Sequence, residues 1–371
     1  MPGGPKEIRK QLDRNKLSLG LFGVNCSGGL AVTTVPERWD ASWENNQKLA
    51  RMADDAGLDF ILPLGRWKGY GGVTDHNGSN FETLTWATGI LASTSDIMAF
   101  GTVHVSLFNL VVAAKQMATA DLVGQGRFGL NIVCGWNHDE FDMLGIDLAT
   151  HDDRYDQGQE WIDIVTRAWT SAEPFDYDGR FYQVHKTDIN PKPYGGGQPL
   201  VVCAGNSGRG RDFAARNADM MFTNLRIDLD EVPGNTSALK ELAAGYNRDI
   251  GVFSNVAVTC RPTKKEAEEY FQYYAVENAD WDAAENMIVG RGIVKPGMTD
   301  EMHQAARIRA AAGNGALPIV GDPDDVVAMM KRLSEGGISA LAIGFTNYLE
   351  HFPYFRDEVL PRLVHEGLRT E

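Results

Sequence analysis

A chain of 371 residues with 43% hydrophobic and 23% charged content carries enough apolar material for a large buried core. Its formal net charge of −15 argues against nucleic acid and anionic membrane as partners, because both are bound through cationic surfaces that release counterions; a small molecule is the expected partner. No run of 18 apolar residues occurs and no apolar segment stands behind the polar start MPGGPKEIRKQLDRNK, so neither a membrane span nor a secretory signal is expected and the chain reads as cytoplasmic.

Along the chain, apolar β-branched runs alternate with amphipathic stretches, the pattern of parallel strands joined by helical crossovers. LSLGLFGV (17–24) reads as a strand, ENNQKLARMADDAG (44–57) as a helix and LDFILPL (58–64) as a second strand. A helix at 82–94, a strand at 97–103, a helix at 109–124 and a strand at 127–135 follow. The second half adds a helix near 152–170, a strand at 199–205, a helix opening at Ser207, and strands at 219–225, 250–260 and 340–346. Eight such units in one chain of this length favour a closed α/β (β/α)₈ TIM barrel over an open doubly wound sheet. Two excursions stand out: about 172–198, rich in Gly, Pro and aromatics, reads as an extended loop, and about 262–316 as a charged helical insertion ending in AAAGNGAL. No linker or repeat divides the chain, which is read as one domain over 1–371. The four cysteines, Cys26, Cys134, Cys203 and Cys260, stand far apart without a C-x-x-C pair, so they are expected to be reduced packing residues.

In a barrel the active site is built on loops at the carboxyl ends of the strands. The strand-terminal candidates are Asn25 and Cys26, Gly65 and Arg66, Thr102 and His104, Asn131 through Glu140, Gly205 to Ser207, and Phe345 to Tyr348. This crown has few ionisable groups and no G-x-S-x-G or H-E-x-x-H motif. The runs D-H-N at 75–77 and H-D-D-R at 151–154 come nearest to metal-ligand spacing but read better as solvated polarity, and no metal is expected. The chemistry is therefore assigned to an organic cofactor. The local signal for one is AGNSGRGRDFAARNAD (204–219), where a strand end and a flexible turn lead into a helix. Backbone N–H groups at Ser207 and Gly208 would face a phosphate there, while a plain N-cap by Ser207 accounts for the same residues.

The segments AGLDFILPLGRWKGYGG, AAKQMATADLVGQGRFGLNIVCGWNHDEFDMLGI, HDDRYDQGQEWI, FDYDGRFYQV, VVCAGNSGRGRDFAARNAD and VGDPDDVVAMMKRLSEGGI together resemble the bacterial luciferase-like flavin monooxygenases, in the branch of pyrimidine, dimethyl sulfone and alkanesulfonate monooxygenases. The resemblance implies FMN at the carboxyl face, supplied reduced by a separate NAD(P)H-dependent flavin reductase, with O₂ as co-substrate, and a homodimer or homotetramer. Gly65, Arg66, Asn131, Glu140, Arg154, Tyr155 and Ser207 match FMN contacts of the pyrimidine monooxygenases, and Gly208 joins them from the phosphate reading. Thr102 and Asn131 match the oxygen pocket, where a hydroxyl and an amide would hold O₂ and favour a nucleophilic flavin peroxide.

The resemblance does not extend to His104, which from its position alone is expected to sit in the crown and titrate near neutrality as an acid, base or substrate contact. Asn25, Cys26, Trp67, Phe108, Trp136, Asn137 and His138 are expected to shape the substrate pocket, with the indoles able to stack on a planar ring. Aromatics, amides and few fixed cations suit a small N-heterocycle, pyrimidine- or pyridine-like, that is hydroxylated or opened. Arg66 is able to face either the flavin or an anionic substrate. Oxidation of a sulfone or sulfonate with C–S cleavage is the alternative monooxygenase, which a cluster of arginines would favour. A deazaflavin-dependent dehydrogenase and a flavin-binding barrel without turnover are the remaining readings.

Overall fold

In the computed structural model the described residues are 12, 14–225 and 228–370, so most of the polar start lies outside them. The strands in chain order are β1 (Ser18–Phe22), β2 (Phe60–Leu62), β3 (Met98–His104), β4 (Phe128–Val133), β5 (Phe175–Asp178), β6 (Gln183–Thr187), β7 (Leu200–Cys203), β8 (Met220–Phe222), β9 (Gly251–Cys260), β10 (Leu317–Gly321) and β11 (Ala340–Gly344). Those of β1, β2, β3, β4, β7, β8, β9 and β11 pair in parallel in that order. Pairing of Ser18 with Ala340 returns the sheet to β1, and pairing of Met220 with Gly251 joins β8 to β9, so the eight form a closed barrel. These are the eight strands expected from the sequence.

Parallel barrel strands are covered on both faces, which is why they read as nearly unbroken apolar runs. The faces turned inward fill the barrel with Phe22, Phe60, Leu62, Met98, Phe100, Val202 and Phe253. The faces turned outward pack on the helices through Leu19, Leu21, Ile61, Val103, Leu130, Ile132 and Val201. The helices are α1 (Trp43–Asp55), α2 (Thr83–Ser93), α3 (Leu110–Val123), α4 (His138–Met143), α5 (His151–Thr170), α6 (Gly208–Asn217), α7 (Val232–Ala244), α8 (Lys264–Gln272), α9 (Trp281–Gly290), α10 (Asp300–Gly313), α11 (Pro323–Glu335), α12 (Tyr348–Glu358) and α13 (Leu360–His365). Many open on a side-chain cap of the ordinary kind, among them Ser42 on α1, Asn109 on α3, Thr150 on α5 and Asp322 on α11. No described helix is long and apolar enough to cross a membrane.

Two segments differ from the expectation. The stretch 172–198 is not an extended loop throughout, because β5 and β6 form an antiparallel hairpin within it. The carboxylate of Glu160 on α5 accepts the N–H groups of Arg180 (2.8 Å), Phe181 (2.9 Å) and Tyr182 (3.1 Å), so the turn is organised by the helix that precedes the hairpin. The insertion is helical, as expected, in α8, α9 and α10, but its small-residue end leads into β10, which pairs with the outer half of β9 from Leu317–Val256 to Gly321–Cys260. β10 pairs only with β9, and an edge strand of this kind accommodates Pro318, which has no N–H to donate. The four cysteines are free and buried, as expected.

Candidate functional site

At the carboxyl end of the barrel the apolar filling gives way to polar side chains. β3 and β4 run in register with Thr102 opposite Asn131, and both are buried, 4% and 8% exposed. Thr102 Oγ1 donates to Pro63 O (3.1 Å) and accepts from Asn131 Nδ2 (3.1 Å). Asn131 Oδ1 is buried without a partner among the described residues, which is costly unless something else occupies it. Gly65 closes one wall: a Cβ there would stand 2.6 Å from Thr102 Cγ2 and 2.9 Å from His104 Cε1, so only glycine lets the backbone lie this close.

His104 shares the inward face of β3 with Thr102, two residues on. It is buried, its Nδ1 has no partner, and burial, then the charge of Arg66, push its pKa down to about 4. The expectation that it titrates near neutrality is therefore corrected: desolvation holds it neutral. Burial similarly depresses His76 and His351 to about 3. A histidine whose folded value lies below its ordinary 6.5 takes up its proton in the unfolded chain first. Each such group stabilises the fold above about pH 6.5 and loses that contribution as pH falls towards its folded value, on the order of 3 kcal/mol for His104. Urea midpoints are thus expected to drop between about pH 6.5 and pH 4, and a His76→Gln variant is expected to show a shallower drop than wild type.

Beside this pair lies a buried ion pair. Arg66 and Glu140, at the ends of β2 and within α4, meet at 3.0 Å with side chains 4% and 1% exposed. Glu140 Oε1 also accepts the backbone N–H of Trp67 at 2.9 Å, so one carboxylate fixes both the guanidinium and the loop that carries it. Arg66 donates further to Tyr70 Oη (3.1 Å) and Lys68 O (2.9 Å), and its guanidinium lies 4.4 Å from the Tyr70 ring and 5.5 Å from that of Trp136. The Trp67 and Phe108 rings pack at 5.9 Å, giving the site an aromatic wall.

From Ile132, next to Asn131, a cavity of about 240 Å³ runs past Trp136, Arg154 and Tyr155 to Asn206 and Ser207. Arg154 donates to Gly135 O (2.8 Å), and its Nε is buried without a partner. Ser207 caps α6 by accepting from Gly210 N (3.0 Å), and its Oγ lies 3.1 Å from His151 Nε2 and 3.5 Å from Tyr155 Oη. The N-cap reading of Ser207 therefore holds. Gly208 is the first residue of α6, where backbone N–H groups lack helical partners. A Cβ on Gly205 would stand 2.8 Å from Gly210 Cα and 2.9 Å from Tyr155 Oη, which keeps this end of the cavity open and smooth.

The remaining expected pocket residues divide. Asn25 is fully buried, and its amide is spent on Leu64 N (2.8 Å), Leu64 O (2.9 Å) and Phe81 O (3.2 Å), a clamp between β1 and β2 that leaves no polar atom for a ligand. Cys26 is buried and burial pushes its thiol well above the usual range. Asn137 caps α4 through Asp139 N, and His138 is exposed on that helix. Sequence reasoning missed Tyr70, Arg291 and Asn255. Asn255 alternates along β9 with inward-facing Phe253, and it is 5% exposed. A polar residue inside an apolar strand was the available signal.

The sequence model of the family Luciferase-like monooxygenase matches residues 21–340. The FMNH(2)-dependent dimethylsulfone monooxygenase of Pseudomonas fluorescens (strain Pf0-1) is 29% identical over 359 residues, covering 92% of this chain and 93% of the relative. Pyrimidine monooxygenase RutA of Allorhizobium ampelinum is 27% identical over 354 residues, covering 92% and 95%. Among solved structures, a riboflavin lyase superposes with a TM-score of 0.85 at 20% identity over 95% of this chain and 92% of that one. DmoA of Hyphomicrobium sulfonivorans gives 0.84 at 19% identity over 96% and 89%. With its closed parallel barrel, its polar mouth and a match over most of its length, the chain belongs to the luciferase-like monooxygenase family.

Proposed function

We propose that the protein is a two-component monooxygenase that uses reduced FMN and O₂ to oxidise a small N-heterocycle. The observation that carries this reading is the Thr102–Asn131 pair, a buried hydroxyl and amide held together at 3.1 Å with the amide oxygen unclaimed. The residues present fit the cofactor: Arg154, Ser207 and the first N–H groups of α6 suit its phosphate, while Gly65 and Asn131 suit the close approach of a flat ring. Bound reduced FMN supplies the electrons that activate O₂, and a separate NAD(P)H-dependent flavin reductase supplies the reduced cofactor, consistent with the FMNH(2) dependence in the name of the dimethylsulfone relative.

In this reading the Thr102 hydroxyl, whose proton goes to Pro63 O, accepts one N–H of Asn131 and so aims the second N–H of that amide at negative charge growing on oxygen. Fixed dipoles do this without reorganisation in a site that excludes water. His104, neutral and buried, is a hydrogen-bonding wall. Trp67 and Phe108 supply the faces against which a planar ring stacks. The test is turnover with photoreduced FMN and ¹⁸O₂ over a panel of pyrimidines, pyridines, sulfones and sulfonates. Label is expected in a heterocycle-derived product; label only in a sulfur oxyanion or an aldehyde would reject the heterocycle. Ser207→Asp places a carboxylate where the phosphate is assigned and is expected to weaken FMN binding by about tenfold or more through charge repulsion. Unchanged affinity by flavin fluorescence quenching would remove the phosphate from this helix.

A further inference from the structure

The insertion brings a second guanidinium to the site. Arg291, at the end of α9, reaches the barrel mouth and donates to Tyr70 Oη at 3.1 Å, the same phenol oxygen that accepts from Arg66 at 3.1 Å. Both guanidinium groups lie over the Trp136 ring, at 6.0 and 5.5 Å, and Trp136 lines the cavity assigned to the cofactor.

The two cations differ in their compensation. Arg66 is paired with Glu140. Arg291 donates only to neutral acceptors, Asn314 O at 2.7 Å, Asn314 Oδ1 at 2.5 Å and Tyr70 Oη, and no carboxylate among the described residues pairs with it. The nearby Asp280 is committed elsewhere, to Thr74 N (2.8 Å), Thr74 Oγ1 (2.7 Å) and the cap of α9. Three of the five guanidinium hydrogens of Arg291 are thus used, and one on Nη1 and the Nε–H remain, on different edges of the group. In a chain of net charge −15, carboxylates are abundant, yet none meets this half-buried cation. The two cations facing one phenol repel each other, and an anion bound beside Arg291 would offset that repulsion.

We propose that Arg291 binds an anionic group of the substrate, so that the compound oxidised is a heterocycle carrying an oxyanion, a carboxylate or sulfonate able to take a charge-assisted N–H bond from the guanidinium. Arg66 does not share this role because Glu140 neutralises it, and Arg154 lies at the cofactor's phosphate end of the cavity. This inference rests on the monooxygenase reading for the identity of the bound molecule and on Arg291 alone for its charge.

The experiment is calorimetric titration of the full chain, with oxidised FMN present, using pyridine-3-carboxylate, pyridine-3-sulfonate and the neutral pyridine-3-carboxamide. At least one anion is expected to bind about tenfold or more tightly than the carboxamide; which anion binds better identifies the oxyanion. Arg291→Gln is expected to erase the preference, and Arg291→Lys, which keeps the charge but not the planar fork, to retain part of it. Equal binding of all three compounds, no binding of either anion up to its solubility limit, or a preference that survives in Arg291→Gln would overturn the proposal. Should Arg291→Gln fail to fold, because its bonds to Asn314 are lost, the wild-type comparison and Arg291→Lys still decide. FMN affinity is measured on the same samples: its absence in wild type refutes the flavin reading, while charge discrimination is read independently.

Discussion

Thr102→Val is expected to keep the affinity for FMN and to lose product formation by about 10²- to 10³-fold, the range found when one preorganised donor is removed from a site of developing negative charge. Valine preserves the branched shape of the side chain, so the packing against Gly65, where contacts are within 3 Å of an added methyl, is little disturbed. What disappears is the hydroxyl that bonds Pro63 O and receives the Asn131 amide. Asn131 then has both amide termini without a fixed partner and rotates out of its working position. Oxygen is still consumed but leaves as hydrogen peroxide, so the measurement is the ratio of product to oxygen consumed, with Thr102→Ser retaining most of it. A Thr102→Val enzyme with unchanged coupling would show that the hydroxyl has no part in positioning Asn131 for oxygen.

The barrel was legible because its strands are covered on both faces and so appear as apolar β-branched runs such as IMAFGTV and RFGLNIV. β10 was not, since LPIVG follows a run of Ala, Gly and Asn and carries a proline, features that read as a break until the strand is seen to be an edge. The hairpin of β5 and β6 was hidden for a related reason: its turn is organised by Glu160, on a helix that precedes it. The same division runs through the site. Thr102, Asn131, Gly65 and Ser207 stand at strand or helix ends, where the fold class alone locates function. Arg291 lies in an insertion whose docking onto the mouth is a tertiary fact, and no local pattern ties it to Tyr70. Asn25 occupies a strand end as well, but its saturated amide shows that position without knowledge of partners does not separate a ligand contact from a clamp.

The buried charge pair carries the second large effect. Glu140→Ala is expected to destabilise the fold by about 3–5 kcal/mol, because it leaves Arg66 charged and buried without compensation. The loss extends beyond the ion pair: Glu140 also fixes Trp67 N at 2.9 Å, so the loop from Gly65 to Lys68 is released and the glycine that lies against Thr102 and His104 moves with it. Glu140→Gln keeps an acceptor for that N–H but not the charge, and is expected to fall between wild type and alanine. The discriminating variant is the double replacement Arg66→Met with Glu140→Leu, which removes both charges and fills the space with apolar volume. Buried pairs replaced in this way commonly recover or exceed wild-type stability, so its urea midpoint is expected to return towards wild type. Its turnover is not, since the guanidinium that lies against Tyr70 and Trp136 is gone. A double variant as unstable as Glu140→Ala would mean that the pair itself holds the fold, and a fully active one would mean that Arg66 serves only to be neutralised.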